Sequence, residues 1–429
     1  EAMRILVENG RLLDPSRELD VQESLWIEDG IICEKQAFSA NQADRVIDAA
    51  GGWVVPGLID LHVHFRDPGL EYKETIETGC LAAAHGGYTT VCPMPNTKPS
   101  TDCPEVVKEV LDKASVACGV HVLPVGAVTV GQKGEQPTDV AALKEAGIVA
   151  ISEDGKSVMN SEVYREAMLQ AAACDIPVFA HCEDINLVHG GCMNAGKRAK
   201  ELGLPGISNA VEDIITARDI LLANETGAQL HLCHCSTKES VNLVKWGKKM
   251  GVKLTAEVCP HHFALSDEDI PSAEDTNYKM NPPLRSKEDV EAIKQALKDG
   301  VMEVISTDHA PHHADEKAKP FTQAPFGIVG LETAVALTIT NLVRTGWLTP
   351  MQMIAYMSTN PAKVLGIDKG TLKPGSCADV TVIMPDESYV IDAASFASKG
   401  KNTPFDGQKV WGRVALTIAD GKIIYENEQ

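Results

Sequence analysis

Two histidines follow an apolar run near the start of the chain. Residues 58–61 are apolar apart from Asp60, and His62-Val63-His64 comes directly after them. In a β-strand, residues i and i+2 point the same way, so both imidazoles are predicted to face one side. Two neutral imidazoles at one edge make half of a Zn²⁺ site. Alone the pair is a weak signal, because a single histidine is more often a structural side chain.

Further metal-ligating residues follow other apolar runs in the same way. The fourth run, 148–152, leads to Glu153 and Asp154, and three later runs lead to His181, His234 and Asp308. If these runs are parallel strands, their carboxyl ends meet at one edge of the sheet. Four histidines and two aspartates at that edge predict a metal centre: His62, His64, Asp154, His181, His234 and Asp308.

The chemistry of this ligand set indicates hydrolysis. Imidazoles with carboxylates suit Zn²⁺ and also permit Mn²⁺ or Co²⁺. Six protein ligands are too many for one tetrahedral zinc, which favours two metals sharing one carboxylate. Such a pair lowers the pKa of a water between the metals and polarises a carbonyl. We therefore expect cleavage of an amide or ester, and redox chemistry is not implied.

The middle of the chain alternates short apolar strands with amphipathic helices. Eight strands are predicted, at 58–61, 89–92, 121–125, 148–152, 178–180, 229–233, 253–258 and 304–306, with helices between them such as 161–173, 212–226, 238–250 and 287–298. Regular alternation predicts a parallel sheet, and eight units predict a (β/α)₈ TIM barrel. A doubly wound sheet is the structural alternative, but no Gly-x-Gly-x-x-Gly follows an early strand.

Both ends of the chain have a different pattern. Short alternating runs separated by Asn-Gly and Asp-Gly pairs occur at 4–7 and 24–27, and again at 379–383, 413–418 and 422–425. These are strand and hairpin signals. We predict one small β-sandwich domain formed by both termini, from residues 1–55 and 366–429, around a catalytic barrel at 56–365.

Composition excludes several classes of function. A formal net charge of −21 argues against binding to nucleic acid or to anionic membranes. No apolar stretch has the length of a membrane span, and no secretory signal is visible, so a cytoplasmic location is expected. The 12 cysteines are scattered and include no Cys-x-x-Cys pair, which favours reduced thiols. Cys233 and Cys235 are interpreted as small core residues.

Six segments in order along the barrel resemble the signatures of dihydroorotases in the amidohydrolase superfamily. They are 62–69 (HVHFRDPG), 93–97 (PMPNT), 180–184 (AHCED), 233–237 (CHCST), 279–285 (KMNPPLR) and 306–312 (STDHAPH). The resemblance implies reversible cyclisation of N-carbamoyl-L-aspartate to L-dihydroorotate in de novo pyrimidine biosynthesis. It also implies two Zn²⁺ per chain, with His62, His64 and Asp308 on one and His181 and His234 on the other.

Three residues are candidates to bridge the two metals. Many amidohydrolases use a carbamylated lysine at the end of the fourth strand, but residues 147–152 contain no lysine. Asp154 matches the bridging aspartate of the long-chain bacterial family instead. Glu153 is the first alternative and Lys156 a more remote one. By the same resemblance, Asp308 is the catalytic acid and base.

The resemblance also implies a site for the substrate's carboxylate. Arg66, Asn96 and His312 would bind it, since arginine supplies a fixed charge and a bidentate fork. Other substrate contacts would come from His64, Asn281, Phe326 and Gly327. Residues 317–330 are interpreted as a loop near the mouth, either a closing lid or an ordinary surface connection. The remaining histidines are assigned no role in the metal centre: His85, His121, His189, His231, His261, His262, His309 and His313.

Two alternatives and several partners stay open at this point. A dihydropyrimidinase, hydantoinase or allantoinase would share the metal pair, but would usually have the lysine and lack an arginine for a ring carboxylate. A non-catalytic scaffold for aspartate transcarbamoylase would be expected to have lost metal ligands. A homodimer is expected, and an active enzyme that also associates with aspartate transcarbamoylase is possible.

Overall fold

The computed structural model describes residues 3–427, and these begin with seven short strands. Asn9 and Asp29 adopt positive φ at the predicted turns, where an Asn-Gly or Asp-Gly pair allows the chain to reverse. Strands β1 and β4 pair antiparallel, as do β2 and β3. The bounds are β1 Arg4–Glu8, β2 Arg11–Asp14, β3 Leu19–Gln22, β4 Leu25–Glu28, β5 Ile31–Ile32, β6 Arg45–Asp48 and β7 Trp53–Pro56.

The middle region contains the predicted parallel strands. They are β8 Leu58–Val63, β9 Tyr88–Pro93, β10 His121–Val122, β11 Val125–Ala127, β12 Ala150–Ser152, β13 Val178–Ala180, β16 Leu230–Leu232, β17 Leu254–Val258 and β18 Val304–Ile305, with a small added pair, β14 Met193–Asn194 and β15 Gly206–Ile207. Hydrogen bonds join β8-β9-β10 and β11-β12-β13-β16-β17-β18 in order. The third predicted strand is therefore present in two pieces, β10 and β11.

The first and last of these strands also meet. Val63 forms a parallel bridge with His309, and the His64 amide donates to the His309 carbonyl at 2.8 Å. Inside the sheet, Asp60 accepts from the Thr307 amide at 3.2 Å and from its hydroxyl at 2.5 Å. The end of β8 and the segment after β18 are thus fixed against each other, and both carry predicted site residues.

Helices follow the strands and cover them. The α-helices are α1 Ile76–His85, α2 Pro104–Ser115, α3 Val140–Ala146, α4 Ser161–Ala173, α5 Ile185–Val188, α6 Lys197–Leu202, α7 Ala210–Thr226, α8 Lys238–Lys249, α9 Pro260–Ala264, α10 Lys287–Lys298, α11 Ala314–Lys317, α12 Ala334–Thr338, α13 Pro350–Ile354 and α14 Asn360–Leu365; π-helical turns span Ile339–Val343 and Ala355–Thr359. Thr75, Asn160, Thr237 and Ser286 cap first-turn amides, which explains where α1, α4, α8 and α10 begin.

The main core lies between the strands and these helices. Strand residues such as Val91, Ile151 and Leu230 belong to the same buried cluster as helix residues such as Val107 and Ile215. Burial of this apolar surface is the main force that holds the helices on the sheet. The strand ends, and the polar side chains on them, are thereby held on a rigid support.

Strands from both chain ends form one sheet. The last three are β19 Val380–Val390, β20 Lys409–Ala419 and β21 Lys422–Glu426, and the sheet order is β21-β20-β19-β7-β2-β3. A second sheet, β5-β4-β1-β6, shares a buried cluster with it that includes Ile5, Ile27, Val54 and Leu416. Residues 391–408 leave this sheet and contact the middle region, so the C-terminal part of the chain serves both regions.

Between residues 3 and 427, no helix combines the length and the apolar character needed to cross a membrane.

Candidate metal centre and active site

Five strands deliver the predicted ligands to one place. His62 lies within β8 and His64 directly after it, Asp154 follows β12, His181 follows β13, His234 follows β16, and Asp308 follows β18. The structure brings all six together, in two overlapping groups whose ligand atoms lie within 4.8 Å of one another. One group is His62, His64, Asp154 and Asp308, and the other is Asp154, His181 and His234.

Asp154 is the residue that the two groups share. Its Oδ1 lies 3.3 Å from His62 Nε2, 3.3 Å from His181 Nδ1 and 3.6 Å from His234 Nε2. Its Oδ2 lies 3.2 Å from His64 Nε2. One carboxylate therefore faces all four imidazoles, which is the position of a bridging ligand.

Glu153 and Lys156, the two alternatives for this position, point elsewhere. The Glu153 carboxylate accepts from the Thr129 amide at 3.1 Å and also from its hydroxyl. Lys156 donates to the Gln132 carbonyl at 3.2 Å. Neither side chain belongs to the two ligand groups.

The side chains of this cluster are suited to hold cations. His62 Nε2 and Asp154 Oδ1 are buried and have no hydrogen-bond partner among the described residues. His181 Nδ1 and His234 Nε2 lie 2.9 Å apart. Buried polar atoms are rarely left unpaired, and a site for an ion is one reason for such a group. The histidine–aspartate cluster could therefore bind metal, and its donor types match a Zn²⁺-type ion.

The pKa values of the two aspartates also favour cation binding. Burial would raise the pKa of Asp154, but the charge of His62 and the neighbouring His181 and His234 imidazoles hold it well below its usual range. The pKa of Asp308 is lowered by His62 and His64 in the same way, against burial. Both carboxylates therefore stay ionised and attract positive charge, whether protons on the histidines or metal cations.

Glu257, in strand β17, orients the histidines from behind. Its carboxylate lies 2.9 Å from His62 Nδ1 and 2.8 Å from His231 Nε2, and it accepts from the His234 amide at 3.2 Å. Burial opposes its ionisation, but His62 and His231 lower its pKa to about 2. Metal-binding histidines commonly donate their second nitrogen to such a carboxylate. The sequence interpretation missed Glu257, although a glutamate inside an apolar strand was the available signal.

Backbone strain is concentrated at the same strand ends. Arg66, His234 and Asp308 have φ of 62°, 31° and 52°, in the left-handed region that non-glycine residues rarely adopt. Such strain persists where the surrounding structure enforces it, and functional sites are enriched in it. Three of the predicted site residues therefore adopt a strained backbone conformation.

A buried cationic group lies beside the cluster. Arg66 donates to the Pro311 carbonyl at 3.2 Å, and its Nη2 lies 3.3 Å from His312 Nε2. On the other side of the ring, Lys73 Nζ donates to His312 Nδ1 at 3.1 Å. Burial, Arg66 and Lys73 lower the pKa of His312, so its ring is neutral. The structure thus joins Arg66 and His312 as predicted and adds Lys73, which the sequence interpretation missed.

The loop at 317–330 reaches this group. Phe326 presents its carbonyl to His312 Nε2 at 2.8 Å. Gly327 has φ 137°, and a Cβ there would lie 2.7 Å from Ala310 Cβ and 3.1 Å from His312 Nε2. Two buried lysines, Lys279 and Lys317, donate hydrogen bonds to backbone carbonyls of the loop. The contacts of Phe326 and Gly327 with His312 favour a loop that is part of the site over an ordinary surface connection.

The two asparagines predicted to touch substrate also support histidines. Asn96 Oδ1 lies 2.9 Å from His64 Nδ1. Asn281 donates to Glu183, whose other oxygen lies 3.4 Å from His181 Nε2. Glu183 was not predicted.

The histidines that were assigned no role in the centre lie outside the two ligand groups that share Asp154. His309 pairs with Glu74 at 2.9 Å, and His262 with the Pro282 carbonyl at 2.9 Å. Cys233 and Cys235 are buried core residues, as predicted.

Comparisons with known proteins show which proteins the chain is similar to. Residues 51–240 match a family described as "Dihydro-orotase-like". Proteins named dihydroorotase from Geobacter metallireducens and Bacillus licheniformis are 49% and 48% identical to the chain; the first match covers 99% of this chain and all of the relative, the second 99% of each. Among solved structures, L-hydantoinase (dihydropyrimidinase) from Arthrobacter aurescens is similar with a TM-score of 0.87 and 26% identity, covering 99% of this chain and 96% of that one. Dihydropyrimidinase from Brevibacillus agri, at 24% identity, a TM-score of 0.86 and coverage of 100% and 96%, shares the fold.

Proposed function

The chain belongs to the dihydroorotase family, and we propose that it catalyses the reversible cyclisation of N-carbamoyl-L-aspartate to L-dihydroorotate in pyrimidine biosynthesis. The observation that carries this assignment is the buried group of Arg66, Lys73 and His312 beside the histidine–aspartate cluster. Lys73 is already paired with Glu316 at 3.2 Å, but Arg66 forms no ion pair among the described residues. A neutral ring has no charge to offer Arg66, whereas dihydroorotate has a carboxylate. The alternative neutral substrates of sister amidohydrolases are therefore disfavoured.

We assign two Zn²⁺ ions to the cluster. His62, His64 and Asp308 would hold one ion, His181 and His234 the other, and Asp154 would bridge them. The support is the position of the Asp154 carboxylate between all four imidazoles. When bound, such a pair lowers the pKa of water and polarises a carbonyl.

Asp308 is the proposed acid and base. Both of its histidine contacts use Oδ1, and its side chain is 13% exposed against 4% for Asp154. In ring opening, Asp308 takes the proton of the attacking water; the ring C–N bond breaks, and Asp308 returns the proton to the departing nitrogen. In ring closure it removes the proton from the carbamoyl nitrogen.

The remaining predicted residues bind and orient the substrate. Arg66 and His312, with Lys73, would hold the ring carboxylate, and Asn96 would reach it from beside His64. His64, Asn281 and the backbone at Phe326 and Gly327 would face the polar edge of the ring. Backbone groups and arginine are effective here because they are already held in place by buried hydrogen bonds.

The pairing of the strands also supports a proposal for the domain architecture. We propose that strands β8–β13 and β16–β18 form a closed (β/α)₈ barrel over residues 56–365, on the strength of their parallel pairing and of the Val63–His309 bridge. Residues 3–55 and 366–427 would form the small β-sandwich, with 391–408 as an arm that returns to the barrel; residues 1, 2, 428 and 429 of the predicted domain lie outside the described residues. A cytoplasmic location, a homodimer and association with aspartate transcarbamoylase stay predictions.

Glu257→Gln tests the support of the metal centre. Glutamine lacks the negative charge of Glu257, so its hydrogen bonds to His62 and His231 are weaker. Residues that hydrogen-bond metal ligands typically contribute about 10–100-fold to metal affinity. We expect zinc affinity, measured by titration against a competing chelator, to fall within roughly that range. Glu268→Gln, on a side chain that is 59% exposed, is the matched control. An unchanged affinity in a folded Glu257→Gln variant would remove this role.

Asn402→Ala tests the arm. Asn402 donates to the carbonyls of Ala310 and Gly327 and accepts from the His312 amide, at 3.1, 3.0 and 3.2 Å. Leaving buried backbone groups unpaired costs about 1–3 kcal/mol, so we expect KM for dihydroorotate to rise by about tenfold or more. Asn242→Ala, at an exposed position of α8, should leave KM unchanged. A KM equal to wild type in Asn402→Ala would contradict the positioning role.

The assignment itself is tested by turnover of L-dihydroorotate, dihydrouracil, hydantoin and allantoin on the purified protein, with metal content measured in parallel. Selective turnover of dihydroorotate is expected. Turnover of only the neutral rings would move the protein to the sister activities. No turnover with metal bound would favour the non-catalytic scaffold, although all six ligands are present and close together.

A further inference from the structure

A second group of metal-ligating side chains lies far from the first along the strands. It consists of His121, Cys377, Asp379 and Asp420, here called the seam cluster, whose ligand atoms all lie within 4.8 Å of one another. His121 is the first residue of β10, and the Asp379 carbonyl accepts from Gly57, just before β8. The cluster therefore sits where the strands begin, at the edge opposite the proposed active site.

Three separate parts of the chain meet in the seam cluster. His121 comes from the parallel strands, Cys377 and Asp379 precede β19, and Asp420 lies in the turn between β20 and β21. The cluster thus joins the terminal sheet to the middle region. On sequence alone His121 was interpreted as structural, because its partners lie more than 250 residues away.

The distances between the ligand atoms are those of a tetrahedral site. His121 Nε2 lies 3.2 Å from Asp379 Oδ1 and 3.5 Å from Asp420 Oδ2. Cys377 Sγ lies 3.4 Å from Asp379 Oδ1 and 2.8 Å from Asp420 Oδ1. Zinc bond lengths of about 2.0–2.3 Å place neighbouring ligand atoms of a tetrahedron about 3.3–3.8 Å apart. The two distances to Asp379 are close to that range. Asp420 presents a different oxygen to each of His121 and Cys377, and adjustment of its exposed side chain would bring one oxygen near both.

The charges of the cluster can be balanced. A thiolate and two carboxylates around a divalent cation leave one negative charge, and Lys369 lies beside them. Its ammonium donates to Asp379 Oδ2 at 2.6 Å, whereas His121 and Cys377 face Oδ1. Lysine and metal would therefore use different oxygens of Asp379, and the lysine would act as an outer partner that orients the ligand.

We propose that the seam cluster binds one divalent zinc-type cation through His121 Nε2, Cys377 Sγ, an Asp379 oxygen and an Asp420 oxygen. One nitrogen, one sulfur and two oxygens form a donor set that suits Zn²⁺ and, as a probe, Co²⁺. The Asp420 side chain is 58% exposed, so the ion can enter from solvent. The bound ion fastens the terminal sheet to the middle region and has no part in the reaction.

Binding must displace a proton. The Cys377 thiol donates to Asp420 Oδ1 at 2.8 Å, so the sulfur carries a proton when no ion is present. The metal–sulfur bond forms as the S–H bond breaks, and the proton passes to solvent. Metal affinity at the seam cluster therefore increases with pH.

The test uses the full chain, freed of metal by a chelator and then loaded with Co²⁺. The wild type is expected to show a thiolate-to-Co²⁺ charge-transfer absorption that Cys377→Ser lacks and Cys103→Ser retains; Cys103 is a partly exposed cysteine outside the cluster. Metal analysis should find one equivalent less in Cys377→Ser, with dihydroorotate turnover unchanged. Cys377→Ser should also lose part of the zinc-dependent rise in melting temperature.

Asp420→Asn is the second variant, because the Asp420 side chain is 58% exposed and asparagine tolerates its positive φ of 50°. It should weaken the seam site at least tenfold, as expected for loss of one charged ligand, without changing metal content at the active site. Equal metal content and equal absorption in wild type and Cys377→Ser would overturn the proposal. The four side chains and Lys369 would then form only an ion-pair network.

Discussion

Replacing Asp308 by asparagine should lower kcat for L-dihydroorotate by about 10²–10⁴-fold, the usual contribution of a positioned acid or base. Asparagine keeps the shape and one oxygen of the side chain, so His62 and His64 retain a partner at the Oδ1 position. It cannot accept the proton of the attacking water. The measurement is steady-state turnover with metal content determined on the same samples.

Asp315→Asn is the matched control for Asp308→Asn. Asp315 lies seven residues later on α11 with a side chain that is 93% exposed, and its replacement should leave kcat near the wild-type value. If Asp308→Asn kept its metal and turned over dihydroorotate at the wild-type rate, Asp308 would not be the acid and base. A fall in activity that tracked metal loss alone would assign Asp308 to metal binding only.

Replacing Arg66 by methionine should lower kcat/KM for dihydroorotate by about 10²–10³-fold. Methionine keeps much of the side-chain length but removes the charge and the bidentate donors. Losing one partner of a buried charge pair costs about 2–5 kcal/mol, and each 1.4 kcal/mol is tenfold. The expected effect, about 2.8–4.2 kcal/mol, stays below the upper end of that range because Lys73 remains 3.1 Å from His312.

Specificity distinguishes a substrate contact from a folding defect in the Arg66 variant. Any residual hydrolysis of neutral dihydrouracil should change little, since that ring has no carboxylate. Arg165→Met, on a side chain that is 45% exposed, should leave both substrates unaffected. Equal loss of activity toward dihydrouracil and dihydroorotate would indicate that Arg66 supports the backbone, through its bond to Pro311, and does not select the substrate.

Asp154 occupies the position expected of the bridging lysine that the fourth strand lacks. Asp154 lies between the four histidines, while Glu153 and Lys156 bond to the 129–132 segment. The hydantoinase and dihydropyrimidinase structures share the fold at TM-scores of 0.87 and 0.86. We propose that Asp154, Arg66 and Lys73 adapt this shared fold to dihydroorotate.

Much of this organisation could be predicted because it follows from local pattern. Helices 161–173 and 287–298 have the predicted bounds, because residues close in sequence determine both the N-cap and the amphipathic period. Strand ends could likewise be placed within two or three residues. Placing the strand ends in parallel was then enough to gather His62, His181, His234 and Asp308 in one location.

What sequence could not supply are contacts between distant parts of the chain. Glu257 meets His62 across 195 residues, and Lys73 meets His312 across 239. The arm at 391–408 was assigned to the terminal domain, yet Asn402 bonds the backbone at Ala310 and Gly327. Neither period nor spacing encodes these partners, because they depend on how the strands and loops pack.

We propose that a metal centre at these strand ends performs the hydrolysis. The most direct measurement is the turnover of L-dihydroorotate by one preparation before chelation, after chelation, and after reloading with Zn²⁺, with metal per chain measured at each stage. We expect turnover to be lost with the metal and restored with zinc, while His181→Ala, which lacks a proposed ligand, is not restored to the wild-type rate. Metal-free protein that hydrolyses dihydroorotate at the original rate would contradict the account.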